Sequence, residues 1–526
     1  MALAATVSRR SLIFGAGSAA VLAATGGTAS ARVTPVREEH HRAVVVGSGF
    51  GGSVAALRLG RAGVRTLVLE RGRWWPSGPG VDTFPRFFSP DRRSSWLEPT
   101  PVLPFSPPAL FQPYTGLVER IRTAGLDVYC GAGVGGGSLV YQGISLKPEA
   151  ELFHRVLPAG IDHEEMERVF YPRVAAMLRF SPIPDDVLGH VRYTSSRDLL
   201  ADAARAGTTP VRLPQPMDWD VLRRELAGGL PRWSTEGDHL YGINNGGRFS
   251  LDKTYLADAV ATGSVTIAPL HLVREVATGT SRRYLLRCDR ITTDGEVVER
   301  VLVHADAVFL NAGSVNTSKL LVRARATGTL PDLPPDVGNF WSTNGDRGYL
   351  RTELLDPSLP HQGGPSVAGY LDRGAPTGPA TFFHIPAPLP VETFSALLLG
   401  MGLPGGHGRF RHDPATDRVV LDWPPTADLD AQVATDASAA RLVGRAGGLA
   451  LPSHALVPFT AHPLGGAVFE AVCDLHGRVH DHPGLYVTDS ALIPGSTGTA
   501  NPSWTIAALA ERCLRHIVAH DADTLF

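Results

Sequence analysis

The stretch TAHPLGGAV, Thr460 to Val468, sets a histidine directly before a proline, with two glycines close behind. An imidazole titrates near neutral pH, so His462 could take up or release a proton during catalysis. The same His-Pro step could equally close a turn around a hydrogen-bonded core histidine. A second pattern starts at Arg42: RAVVVGSGFGGSVAALRLGRAGVRTLVLERG. Its glycines suit close approach of backbone N–H groups to a pyrophosphate. Gly47 permits a tight turn, Gly49 lets the main chain come near the phosphates, and Gly52 lets a helix pack on the preceding strand. Glu70 closes the second apolar run, where a carboxylate accepts hydrogen bonds from both hydroxyls of an adenosine ribose and disfavours a 2′-phosphate. A third pattern, CGAGVGGGSLVYQG from Cys130 to Gly143, is dense in glycine. Main chain without Cβ atoms can lie against a flat ring with its amides free, although a flexible surface loop has the same composition.

The Arg42 pattern predicts strand, helix and strand, a β-α-β unit that binds a dinucleotide. Two later stretches return to that architecture. VHADAVFLNAGSVNTSKLLVRA (Val303 to Ala324) predicts a strand, a Gly-Ser turn and a helix. GLYVTDSALIPGSTGTANPSWTIAALAERCLRHIV (Gly484 to Val518) predicts a strand, a long polar loop and a closing amphipathic helix. The nucleotide domain is therefore expected to be discontinuous, over residues 40–85, 250–345 and 460–526, with 130–143 against the cofactor. Residues 86–249 and 346–459 are left to form a second, substrate-binding domain.

Composition narrows the function. Lys plus Arg number 49 against 51 Asp plus Glu, so there is no basic field to hold nucleic acid. Cys130, Cys288, Cys473 and Cys513 are far apart and show no C-x-x-C spacing, which argues against zinc centres and disulfide frameworks alike. The N-terminal SRRSLIFGAGSAAVLAATGGTASA carries paired Arg9 and Arg10, a glycine-broken apolar run and an Ala-Ser-Ala end. It is expected to be a twin-arginine export signal over residues 1–31, since the run is shorter than the roughly 20 residues that span a bilayer. Export of a folded chain suits a protein that acquires its cofactor in the cytoplasm, and the mature protein is expected to be secreted.

The motifs at Arg42, at Gly131 (GAGVGGGSLV), INNGGRFSLDKTYL, NAGSVNTSKLLVRARATGTLP, HPLGGAV and LYVTDSALIPGSTGTANPSWTIAALAER occur in the order seen in the glucose-methanol-choline (GMC) oxidoreductases. Together with DRRSSW (Asp91 to Trp96), they resemble the branch of secreted, actinobacterial-type cholesterol oxidases with non-covalent FAD. The resemblance implies an α/β and α+β fold, in which a discontinuous Rossmann-like FAD-binding domain joins a mostly antiparallel substrate-domain sheet covered by helices. It implies that Gly47, Gly49, Phe50, Gly52 and Glu70 hold the ADP half of FAD, and that Gly133, Gly136, Gly137 and Ser138 line the flavin and pyrophosphate. Val273 would contact adenine through its main chain, with Gly313 and Asp489 near the phosphates and ribityl chain. The glycine-rich segment contains no histidine, so non-covalent binding of FAD is expected. His462 matches the family's catalytic histidine and Asn501, in ANPSW, its partner. The implied reaction takes a hydrophobic secondary alcohol, a sterol above all, to the ketone with reduction of O2 to H2O2, in a monomer. A dehydrogenase with another electron acceptor and a flavin-holding sterol binder without turnover are the alternatives.

One position departs from the sterol branch, which carries a glutamate in an F-x-E-I-x-P setting as the proton shuttle for moving the ring double bond. Here the stretch is TFFHIPAPLP and the matching residue is His384. Either His384 serves as the second base or the isomerase step is weakened, since an imidazole and a carboxylate differ in charge at neutral pH. The segment PTPVLPFSPPALFQPYTG, Pro99 to Gly116, spaces Leu103, Phe105, Leu110 and Phe111 among prolines. It suits a stiff flap that covers an apolar cavity or rests transiently on a membrane surface, or else core filler between domains.

Overall fold

The structure, a computed structural model, describes residues 34–352, 362–386, 395–456 and 458–526. The expected export signal over 1–31 lies outside them. The β-branched run before Gly47 forms the strand Val36–Val46, whose last four residues are buried. It leads through the glycine turn into the helix Phe50–Arg61 and on to the strand Thr66–Leu69, buried along its whole length. The two strands pair in parallel, Val46 opposite Leu69. Burial on both faces is why these strands read as continuous apolar runs without alternation.

The sheet they begin has the order Val265–Ala268, Thr66–Leu69, Val36–Val46, Val297–Leu310, Tyr284–Ile291, His271–Thr278, with Leu485–Val487 added beside Val297–Leu310. Its first four strands and Leu485–Val487 are parallel; Tyr284–Ile291 runs antiparallel to the neighbour on either side. The helices Phe50–Arg61 and Pro502–His520 pack together over it. Pro502 occupies the first helical turn, where its missing N–H costs no hydrogen bond, and it fixes where the long C-terminal helix begins.

A second sheet, antiparallel throughout, has the order Leu449–Pro452, Asp346–Thr352, Ser395–Met401, Ala380–Ile385, Ala368–Asp372, Thr209–Arg212. The helices Thr194–Arg205 and Leu429–Ala446 cover one face, where Tyr349, Tyr370, Phe382 and Leu398 pack with Leu199 and Leu442. Tyr370 and Phe382 stack with centroids 5.0 Å apart. Truncating the fully buried Phe382 to alanine is expected to cost about 3–5 kcal/mol. Phe383, Leu399 and Met401 point to the opposite face, with Ile144 and Leu213. Both sheets lie in one compact unit, Pro35–Phe526, so the two expected domains are two sheets within a single packed body. A small third sheet matters for the site: Phe459–Thr460 pairs in parallel with Asp127–Val128, which sets the chain entering HPLGG beside the strand that leads into the glycine-rich loop. Among the described residues no helix is long and apolar enough to cross a membrane.

Candidate active site and cofactor cradle

A cavity of about 990 Å³ runs from the C-terminal ends of the parallel strands to the open face of the antiparallel sheet. At its first end the glycines do three different things. Gly47 sits at φ +94°, and a Cβ there would come 2.2 Å from the Asn311 carbonyl oxygen, so the turn accepts only glycine. A Cβ on Gly52 would lie 2.0 Å from the Gly47 oxygen, which is how closely the helix follows the turn. Gly49 faces open space, with nothing within 4 Å of an added Cβ, while one on Gly136 would come within 2.7 Å of Gly49 Cα. The two glycine-rich segments thus touch backbone to backbone beside a slot that a side chain would fill.

Glu70 borders this slot. Its carboxylate accepts from Ser48 N (3.0 Å), Ser48 Oγ (2.6 Å) and Gly72 N (2.8 Å), which fixes it at the strand end. Asp489 accepts from Gly313 N (2.8 Å), Thr317 Oγ1 (2.7 Å) and Ala491 N (2.8 Å), tying the start of the helix Gly313–Thr327 to the C-terminal loop. Burial pushes its carboxyl up to about 6. Phe50, Val273, Gly313, Gly136 and Gly137 also border the cavity. Gly52, Gly133 and Ser138 do not. Gly133 packs against Trp75, and the Ser138 hydroxyl donates to Gly135 O (2.7 Å) and accepts from Leu251 N (3.0 Å). The expectation that Gly133 and Ser138 line the cavity is therefore corrected: their side-chain positions point into the protein, and they shape the loop from behind, while Gly52 packs the helix on the turn as its spacing implies.

His462 and Asn501 meet at the middle of the cavity. His462 follows the short strand Phe459–Thr460, and Asn501 caps the helix that Pro502 starts. The Asn501 amide nitrogen lies 3.5 Å from His462 Nε2, and its oxygen is buried without a protein partner. Behind the ring stands Asp346, which the sequence did not single out. It is buried at the start of the strand Asp346–Thr352, and its Oδ1 lies 2.7 Å from His462 Nδ1. Its Oδ2 accepts from Thr460 Oγ1 (2.8 Å) and Ala461 N (3.0 Å). An ionised carboxylate only accepts, so Nδ1 carries the proton and Nε2 presents a lone pair toward the Asn501 amide and the cavity.

His384 is placed elsewhere, which corrects its assignment to the site. Side chains alternate along Ala380–Ile385; Ile385 borders the cavity, whereas His384 points the other way, with Nε2 3.0 Å from Gln362 Oε1. Burial, then the Arg351 charge, pull its pKa down to about 3, so it is a neutral core imidazole. Around His462 the wall is apolar, supplied by Ile144, Leu240, Leu350, Ile385, Leu397 and Phe459. Leu103 and Phe105 of the proline-rich segment also border it, while Leu110 is 84% exposed and turned away.

The slot fits FAD on structural grounds. It offers a glycine-only approach, a carboxylate at a strand end and an orphaned Asn501 oxygen beside a lone-pair-bearing imidazole.

A family model described as GMC oxidoreductase matches residues 422–510. The chain is 24% identical to a cholesterol oxidase of Acinetobacter baumannii over 90% of its own length and 94% of that protein. It is 26% identical to a cholesterol oxidase of Mycobacterium tuberculosis, with 89% of each covered. The fold is similar to that of the pyridoxine 4-oxidase from Mesorbium loti, with a TM-score of 0.61 at 17% identity, covering 91% of this chain and 99% of that one. In its motifs, its fold and these relatives, the chain is similar to the GMC oxidoreductases, a family of FAD-binding enzymes that act on CH–OH donors.

Proposed function

We propose that this enzyme oxidises a hydrophobic secondary alcohol, a 3β-hydroxysteroid such as cholesterol, to the ketone, with O2 reduced to H2O2 and FAD held non-covalently. The observation that carries the reading is the His462 and Asn501 pair set against the apolar wall of Ile144, Leu240, Leu350, Ile385, Leu397 and Phe459. Such a wall favours a bulky, largely apolar alcohol whose hydroxyl meets the His462 and Asn501 pair. FAD, when bound, supplies the acceptor for the hydride that leaves the carbinol carbon. His462 Nε2 takes the hydroxyl proton, while the Asn501 amide orients the substrate oxygen. Asp346 keeps the proton on Nδ1 and stabilises the imidazolium once Nε2 is protonated, as the carboxylate does in Ser-His-Asp triads.

The chamber also supports a weakened isomerase step. Among the described residues, the acids that border the cavity are Glu70, Glu119, Asp417 and Asp489, none of them on the antiparallel sheet that carries Ile385. A Δ5 sterol is then expected to leave chiefly as the unconjugated ketone. Residues 1–31 are read as a twin-arginine leader that exports the folded, flavin-loaded chain; fractionation of cells carrying Arg9→Lys and Arg10→Lys together tests it, with retention in the cytoplasm expected. The activity itself is tested by incubating purified enzyme in air with cholesterol, long-chain primary alcohols and aryl alcohols, and measuring peroxide and ketone. Peroxide with the sterol in stoichiometric ratio to ketone supports the reading; peroxide with primary alcohols alone overturns the substrate class, and dye reduction without peroxide overturns the oxidase.

A further inference from the structure

We propose that Glu38, His40 and His304 form a binding site for one divalent transition-metal ion, zinc fitting the donors best, on the parallel sheet and apart from the alcohol site. Glu38 and His40 are two apart on the strand Val36–Val46, so their side chains share a face. His304, on the neighbouring strand Val297–Leu310, stands opposite His40 in the parallel register. One ligand atom from each of the three lies within 4.8 Å of the others. The two imidazoles are stacked, centroids 4.7 Å apart and 12° from parallel.

Two features favour a metal over mere stacking. The Ser281 hydroxyl lies 2.9 Å from His304 Nδ1 and can accept its proton, which leaves Nε2 with its lone pair, 3.9 Å from Glu38 Oε2. Metal-ligating histidines are usually held in this way, one nitrogen anchored by an oxygen and the other free. Nearby cations are engaged elsewhere: Arg37 pairs with Glu39 and Glu299, and Arg282 with Asp306. Two imidazoles and one carboxylate are a donor set for zinc, copper or nickel, and a poor one for calcium or magnesium. Zinc bonds of about 2.0–2.2 Å require the donors to close up from their present spacing. Glu38 and His40 are exposed and can rotate to do so, while His304 is only 8% exposed and already fixed. A water completes the tetrahedron. The ion would clip the first strand to the central strand of the cofactor sheet, at the end away from the Gly47 turn.

Calorimetric titration of the FAD-loaded enzyme with zinc chloride, beside Glu38→Gln and His40→Gln, tests the site. Both substitutions are at exposed side chains and leave the core intact. The expected result is that the wild type binds one more ion per chain than His40→Gln, that Glu38→Gln binds that ion at least tenfold more weakly, and that zinc raises the melting temperature of the wild type above that of His40→Gln. Zinc held by other histidines, such as the stacked His476, His516 and His520, persists in both variants and does not count. Identical stoichiometry and identical melting shifts in wild type and His40→Gln would overturn the proposal.

Discussion

An amide at position 346 keeps the shape of the buried carboxylate but loses its charge and can turn an N–H toward His462 Nδ1, which favours the wrong tautomer. Asp346→Asn is accordingly expected to lower kcat by about 10²–10⁴-fold with little change in KM for an apolar alcohol. Steady-state rates across pH check this, since a merely structural role would leave the kcat profile in place. His384→Gln is expected to leave kcat within about twofold, because the side chain lies on the far face of the sheet. Its signature is in stability. His384 binds no proton in the folded chain until about pH 3, whereas unfolded chain protonates it near 6.5, so its contribution is fully present above 6.5 and is lost as pH falls from there toward 3. The slope is up to about 1.4 kcal/mol per pH unit. Urea titrations at several pH values should show a shallower loss below 6.5 in the variant; an unchanged slope would contradict the neutral core assignment. His462 was legible through the family resemblance of its HPLGGAV setting, since its residue type alone left a core histidine open. Asp346 was not, since it reaches the ring from 116 residues away and its own neighbours carry no motif.

The turn Thr343–Asp346 does more than deliver that carboxylate. Asn344 accepts at Oδ1 from Thr497 N (2.9 Å) and donates from Nδ2 to Ala500 O (2.9 Å), so it holds the loop that ends at Asn501. Thr460 Oγ1 lies 3.0 Å from Thr343 O and donates to Asp346 Oδ2, bringing in the other catalytic segment. One short turn therefore sets the separation of His462 and Asn501. Asn344→Ala leaves buried groups unpaired and is expected to cost about 1–3 kcal/mol of stability while lowering kcat more than it raises KM. Denaturant melts paired with kinetics separate the two effects. Strand alternation explains the misplacement of His384: TFFHI is apolar on both faces of a sheet buried on both sides, so period two is present but gives no sign of which face meets the cavity. The β-α-β unit, by contrast, was legible because strand, glycine turn, helix and terminal acid constrain one another.

Across the whole molecule, the cavity takes its lining from segments distant in the chain. Gly49 and Gly47 make opposite predictions although they are two residues apart. Gly49→Ala adds a Cβ with no protein atom within 4 Å and should fold with a near-native melting temperature in the absence of flavin, yet purify with less yellow colour. Gly47→Ala meets backbone at positive φ and should fail to accumulate as folded protein. Unfolding in guanidinium chloride should release all visible absorbance through an ultrafiltration membrane; colour retained with the chain would contradict non-covalent binding. That the sheets share one body while their strands come from scattered segments follows from nested crossovers, of which sequence periodicity reveals the pieces and not the pairing.

The most direct test is anaerobic rapid mixing of the FAD-loaded enzyme with cholesterol, wild type beside His462→Gln. The wild type should lose its oxidised-flavin absorbance within a single turnover as one ketone forms per flavin, and His462→Gln should bind the sterol but bleach at least about 10²-fold more slowly. Equal bleaching rates in the two proteins, or an oxidised spectrum that persists in the wild type with sterol bound, would contradict it.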